Sequence, residues 1–250
     1  MIKSSIRRLL NSLGYDLASL KLNFTPEELA LIRQVKGFSM TSPERLAGLK
    51  NAIHYLVENK IPGDFVECGV WRGGSMMAAA HTLLSRGDTT RNLYLFDTFA
   101  GMTAPTEKDV VFDGATATEL LQRAAKKEGE TYWCIASLED VTRNVLSTGY
   151  PKDKIFLIKG KVEETIPRHA PSQIALLRLD TDFYESTAHE LLHLYPRLSE
   201  NGVLIIDDYG HWQGAKQAVD EYFAKQPHRP LLNRLDYTGR LVIKPAASLR

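Results

Sequence analysis

The chain has 250 residues, an apolar content of 44% and a formal net charge of +1. Such a length supports one large domain with appendages and a sizeable core, and the near-zero charge gives no whole-chain electrostatic case for nucleic acid. Two cysteines, Cys68 and Cys134, are too few and too far apart for a zinc cluster or a disulfide framework, so a reduced, cytoplasmic setting is expected.

Residues 1–60 read as a helical extension. Ile6, Leu9, Leu10 and Leu13 recur at helix spacing, with Arg7 and Arg8 on another face. The simplest use of such a helix is packing on the body or on a second subunit, which makes a homo-oligomer expected; a membrane-surface helix is the alternative. The apolar stretch is short and broken by Asn11, Ser12 and Gly14, so it does not read as a signal peptide. No apolar run approaches membrane-spanning length. Thr25-Pro26-Glu27-Glu28 and Ser42-Pro43-Glu44 each carry an N-cap, a proline at the first helical position and acid in the first turn.

From about residue 61 to the end the pattern is one of alternating strands and helices. DFVECGV, NLYLFD, KIFLIKG, IALLRLD and GVLIIDD read as strands; GGSMMAAAHTLLS, LEDVTRNVLSTGY, ESTAHELLHLYPRLS and GAKQAVDEYFAKQ read as helices. This alternation predicts an α/β fold, with a parallel sheet covered by helices on both faces. The close, PLLNRLDYTGRLVIKP, predicts a hairpin around Tyr237-Thr238-Gly239 and thus an antiparallel edge. Residues 101–137 are too long for a simple connection and predict a lid or insertion, with a helical piece from Thr118 to Lys127.

Acids end several of these strands. Asp180 closes LLRLD, and Asp207-Asp208 close GVLIIDD. Carboxyl ends of strands in an open α/β sheet face the ligand crevice. Three carboxylates converging there repel one another unless a cation sits between them, so a hard divalent metal and an enzymatic function are expected.

The first strand leads into VECGVWRGGS. Gly69 allows close approach of backbone and ligand, and Gly73-Gly74-Ser75 open a helix, but the spacing is neither the dinucleotide fingerprint nor a P-loop. A carboxylate at Glu67 would repel a pyrophosphate and accept hydrogen bonds from an ammonium. A cofactor with an amino-acid moiety, S-adenosylmethionine, suits that better than NAD. Asp97 ends the next strand, where nucleotide-binding α/β folds place a ribose ligand. Phe99 follows in the same loop. Glu67, Gly69, Ser75, Asp97 and Phe99 are therefore the expected cofactor-binding set. His211, just past the metal acids, is a candidate for binding substrate or orienting a metal ligand. His189 and His193 are spaced i, i+4, but HELLH lacks a further ligand.

Together ECGVWRGGS, FDTFAGM, RLDTDFYEST and LIIDDYGHWQGAKQAVDEYF resemble the macrocin-type O-methyltransferases over roughly residues 38–245. The resemblance implies a Rossmann-like class I methyltransferase domain over 61–250. Its sheet would be mainly parallel and seven-stranded, with an antiparallel C-terminal edge. It further implies dependence on S-adenosylmethionine and magnesium, and a sugar or phenol hydroxyl of a natural product or glycan as acceptor. By motif, the metal ligands would be Asp180, Asp207 and Asp208, and the base Asp182, with His211 the next candidate. Some members carry a histidine directly after that acid, where this chain has Phe183. Asp180 and Asp182 would point to opposite faces of a continued strand, so both can serve only if the chain turns near Thr181. A metal-dependent hydrolase or phosphotransferase and a non-catalytic nucleotide-binding module are the rival classes; the first lacks a phosphate-cradling loop, and the second needs no three acids.

Overall fold

The computed structural model describes residues 12, 23–124, 132–227 and 229–246. The run Ile6–Leu13 lies outside these residues except for Ser12. Two capped helices come first, α1 (Pro26–Val35) and α2 (Pro43–Glu58). Thr25 closes a full capping box with Glu28, and the Ser42 hydroxyl accepts from the Arg45 N–H. The alternating part runs β1 (Asp64–Cys68), α3 (Gly74–Ser85), β2 (Leu93–Asp97), α4 (Ala117–Arg123), α5 (Leu138–Leu146), β3 (Ile155–Lys159) and α6 (Val162–Thr165). It continues with β4 (Ile174–Leu179), α7 (Tyr184–Leu194), β5 (Leu198–Ile206), α8 (Gln213–Ala224), β6 (Asn233–Arg234) and β7 (Arg240–Ile243).

The seven strands form one sheet in the order β3-β2-β1-β4-β5-β7-β6. The first five are parallel, and β7 and β6 add the antiparallel edge. The chain winds outward from β1 to β3, then resumes on the other side with β4. The switch point therefore lies between β1 and β4, where open α/β sheets hold ligands.

Strand periodicity splits the core in two. Phe65, Leu95, Leu176 and Ile205 face a cluster with Leu31, Leu46, Ile53 and Leu56 of α1 and α2 and the small face of α3. Val66, Cys68, Leu177 and Leu204 face the other cluster with Leu191 and Leu194 of α7 and Phe223 of α8. The helices before residue 60 thus share the core of the sheet. Among the described residues no helix is long and apolar enough to cross a membrane.

Two element ends differ from expectation. The helix expected from Thr118 to Lys127 is observed over Ala117–Arg123, and residues 125–131 are outside the description. The helix expected to reach Ser199 stops at Leu194, and a short 3₁₀ turn, Tyr195–Arg197, leads into β5. Pro196 offers no backbone N–H, which ends the α-helical ladder there.

The insertion at 101–137 folds back on the carboxyl ends of the strands. Its ends are joined by the Met102 N–H donating to the Trp133 carbonyl at 3.0 Å. Val111, Ala117 and Leu121 pack against Phe183, Trp212 and Ala215. Buried Asp109 pins it: Oδ1 accepts from the Tyr184 N–H at 2.8 Å, the first residue of α7, and Oδ2 accepts from the Thr106 N–H and hydroxyl at 2.6 and 2.8 Å. Asp109 therefore caps a helix 75 residues away. Asp109→Ala is expected to cost about 1–3 kcal/mol by orphaning these donors. At about 2–4 °C per kcal/mol for a chain of this size, thermal melting should fall by several degrees; an unchanged melt would show that the cap carries no stability.

Candidate active site

At the switch point a cavity of about 420 Å³ opens between the β1 and β2 loops, the segment 38–41, the insertion and the ends of β4 and β5. Gly69, Ser75, Asp97, Asp180, Asp182, Asp207, Asp208 and His211 all line it. Glu67 and Phe99 are not among its lining residues.

The Asp97 end is built from backbone. Its Oδ2 accepts from the N–H groups of Val70 and Trp71 at 2.7 and 3.2 Å, and its Oδ1 from the Phe99 N–H at 2.7 Å. Burial raises the Asp97 carboxyl above its ordinary range, and those N–H groups pull it back. Phe99 contributes its backbone here, while its side chain lies in the sheet core. Gly69, at φ +77°, is required by the protein itself: a Cβ would overlap the Asp180 carbonyl oxygen, so its absence lets the ends of β1 and β4 approach. Gly74 plays the same part toward the N-terminal segment, where a Cβ would sit 2.5 Å from the Phe38 carbonyl oxygen. The bond from the Gly74 N–H to that oxygen, 3.0 Å, holds residues 38–41 against the cavity.

The other end is built from charge. Arg178, 3% exposed, sits on β4 between its parallel neighbours Glu67 on β1 and Ile205 on β5. Its guanidinium donates to Glu67, to Asp180 Oδ2 at 2.6 Å, to Asp207 Oδ1 at 2.5 Å and to the Thr41 hydroxyl at 2.8 Å. Arg45 of α2 donates to the second Asp207 oxygen and, at 3.0 Å, to Asp236 in the terminal hairpin. Glu67, 1% exposed, thus faces Arg178 under the segment 38–45 rather than the cavity. Burial pushes its carboxyl up to about 7, against the pull of Arg178. Arg178 and Arg45 were not anticipated; the signal for the first was an arginine within the apolar run LLRLD.

Oxygens of Asp180, Asp207 and Asp208 lie within 4.8 Å of one another. Hard, oxygen-only donors on one wall of a cavity fit magnesium or calcium, with water completing the shell. Both Asp207 oxygens are engaged by arginine, Asp180 Oδ2 by Arg178 and Asp208 Oδ2 by the Asp182 N–H. His189 and His193 lie against each other with ring centroids 4.4 Å apart and planes tilted by 51°, and join no such group among the described residues.

Asp182 is brought to the same cavity by the turn that the D-x-D spacing required. Its φ is +66°, and the Phe183 N–H donates back to the Thr181 carbonyl at 2.8 Å. Its own N–H reaches Asp208 Oδ2 at 3.3 Å. Burial, and then the charge of Asp180, push the Asp182 carboxyl up to about 7; burial and Asp182 raise Asp208 well above its ordinary range. His211 lies between Phe112 and Tyr237, with ring centroids at 6.0 and 6.1 Å, and burial lowers its pKa.

The chain is similar to several known proteins. The family model described as macrocin-O-methyltransferase (TylF) matches residues 28–243. The 8-demethyl-8-(2,3-dimethoxy-alpha-L-rhamnosyl)-tetracenomycin-C 4'-O-methyltransferase of Streptomyces olivaceus is 32% identical over 212 residues, spanning 85% of this chain and 77% of its own. The demethyldecarbamoylnovobiocin O-methyltransferase of Streptomyces niveus is 32% identical over 187 residues, 75% of this chain and 68% of its own. The structure of the O-methyltransferase NovP superposes with a TM-score of 0.72 at 30% identity, covering 84% of this chain and 83% of that one. With a family model matching most of the chain and relatives of known activity 32% identical over three quarters of it or more, the protein belongs to the macrocin O-methyltransferase family and is a methyltransferase.

Proposed function

We propose that the enzyme transfers a methyl group from S-adenosylmethionine to a sugar hydroxyl of a natural product or glycan, with magnesium held by Asp180, Asp207 and Asp208. The observation that carries this reading is the joining of two differently built ends in one cavity: Asp97 with its glycine loop, and the acid cluster. Family membership sets aside phosphotransfer and a non-catalytic nucleotide module.

At the donor end, Asp97 is held rigidly by three backbone N–H groups, which leaves an acceptor site on Oδ1 for a ribose hydroxyl. Gly69 and Ser75 form the adjoining wall. Glu67, committed to Arg178, belongs to the charged end rather than to the donor wall. At the acceptor end, Asp182 serves as base. A carboxyl raised to about 7 is matched to taking a proton near neutral pH. When bound, magnesium supplies positive charge that lowers the pKa of an acceptor hydroxyl, and a vicinal diol suits it better than a single hydroxyl. The insertion, through Met102, Thr103 and Tyr132, walls the cavity and limits water around the transferring methyl.

The rim supports a sugar with an apolar face. Phe112 and Tyr237 are 65% and 55% exposed, come from the insertion and the hairpin, and flank His211 beside the acids. Exposed rings around a polar floor suit a ligand that is hydroxylated at one end and apolar along its body. A rhamnosyl tetracenomycin, on which the Streptomyces olivaceus relative is named as acting, has that character.

Three outcomes test this reading. Asp97→Ala should weaken S-adenosylmethionine binding in calorimetry by about 5- to 150-fold, the loss of about 1–3 kcal/mol of charged hydrogen bonds; unchanged affinity removes Asp97 as the ribose ligand. A chelator should abolish turnover, magnesium should restore it, and Asp208→Asn should lose magnesium binding while keeping the donor. Full turnover in metal-stripped enzyme would sink the metal assignment. Asp182→Asn should lower kcat by about 10²- to 10⁴-fold with donor binding intact. A variant within a few-fold of wild type would transfer the role to His211 or to water.

A further inference from the structure

We propose that Glu190 is a positioning residue for methyl transfer: from the buried face of α7 it holds Thr181, and through Thr181 the turn that brings Asp180 and Asp182 to one cavity. The proposal rests on the roles given to those two acids above.

Glu190 is 0% exposed and lies on the α7 face that also buries Ser186, Thr187, Leu191 and Leu194. Its Oε1 accepts from the Thr181 hydroxyl at 3.0 Å, and its Oε2 has no hydrogen-bond partner. The Cys68 thiol abuts it from the end of β1. A carboxyl in such surroundings is costly to bury, and an apolar side chain like its neighbour Leu191 would fill the place at lower cost. Its bond to Thr181 reaches the central residue of Asp180-Thr181-Asp182.

That tripeptide needs support. β4 ends at Leu179, and the Asp180 N–H still donates to the Cys68 carbonyl in ladder fashion at 2.9 Å. Two residues later the backbone stands at φ +66° with an i to i+2 hydrogen bond from Phe183 to Thr181, the pattern of the rarer, strained γ-turn. A non-glycine residue keeps such a conformation only when its surroundings over-determine it. From the cavity side the Asp208 carboxylate receives the Asp182 N–H at 3.3 Å. From the helix side the Ser186 hydroxyl donates to the Phe183 carbonyl at 3.1 Å. From beneath, the bond to Glu190 is the side-chain anchor of Thr181. Without it, the Thr181 side chain loses its anchor and the turn rests on the Phe183, Ser186 and Asp208 bonds alone, whose loosening toward continued extension would turn Asp182 away from Asp180.

A purely structural carboxyl and a positioning one behave differently when the bond is removed from both sides. Thr181→Val with Glu190→Leu replaces both partners by apolar groups of similar shape, a change that is near-neutral or stabilising for the fold. For a positioning role, the double variant should melt at or above the wild-type temperature and bind S-adenosylmethionine normally. Its kcat should nonetheless fall by about 10- to 100-fold, the cost of displacing a reacting group by about an ångström. Glu190→Gln, which keeps the shape and an acceptor for Thr181, should stay within about threefold of wild type. If the double variant does not fold, Thr181→Val alone reads the same bond. A full-speed double variant, or a loss of kcat that only tracks lost stability, overturns the proposal. If Asp182→Asn proves active while the double variant is slow and binds magnesium alone more weakly in calorimetry, the brace acts through Asp180. If Asp182→Asn is slow and the double variant is not, the brace fails and the base stands.

Discussion

Five carboxylates, Glu67, Asp180, Asp182, Asp207 and Asp208, meet at the ends of three adjacent strands, and their mutual repulsion is the constraint that the site has to meet. Arg178 meets most of it. It sits on the middle strand of the three, so one guanidinium reaches acids on β1, on β5 and at its own strand end. Arg45 adds a second positive charge from outside the sheet and ties α2 to Asp207 and to the terminal hairpin through Asp236. Two arginines against this many acids leave negative charge unbalanced on the cavity side, at Asp180, Asp182 and Asp208. The carboxyls of Asp182 and Asp208, raised above their ordinary range by burial and by each other's or Asp180's charge, express that excess.

The two ends of the cavity answer different demands. The Asp97 end is made of backbone N–H groups and of glycines whose missing side chains let chain segments touch. Such a surface depends little on which side chains surround it and suits a ligand that does not change. Beside the acids, His211 packs with Phe112 and Tyr237; the three come from separate stretches of chain, none of them inside a strand of the sheet. Loops set on a rigid scaffold can vary without disturbing the core, which is how one fold accommodates different acceptors.

Between them lies a strained turn. Asp180 is placed by the ladder of β4, as strand geometry alone requires, but Asp182 reaches the same space only through a left-handed backbone. The insertion contributes to its surroundings as well: Asp109 caps α7 immediately after the turn, and Trp212 packs against Phe183 at 5.5 Å. The end bearing the acids is therefore held by side chains converging from the insertion, α7 and the β5 loop rather than by any one element.

Much of this was local and could be read along the chain. Alternating apolar runs announced the strands and helices, proline and serine or threonine marked the helix starts at Thr25 and Ser42, and acids at strand ends pointed to Asp97, Asp180, Asp207 and Asp208. These features follow from periodicity, capping and the rule that strand ends face the crevice, all of which act over a few residues. The destination of Glu67 was not of that kind. A glutamate at a strand tip is free to meet a ligand or a neighbour, and which one depends on Arg178, 111 residues away in sequence and adjacent in the sheet. The same holds for Arg45 with Asp207 and for Glu190 with Thr181, whose pairing waits on strand order and helix packing. Local sequence specifies which residues carry charge and where the backbone bends. Only the folded sheet chooses which charges face each other and which face the cavity, because a buried charge takes the nearest compensating partner and the topology determines which one that is.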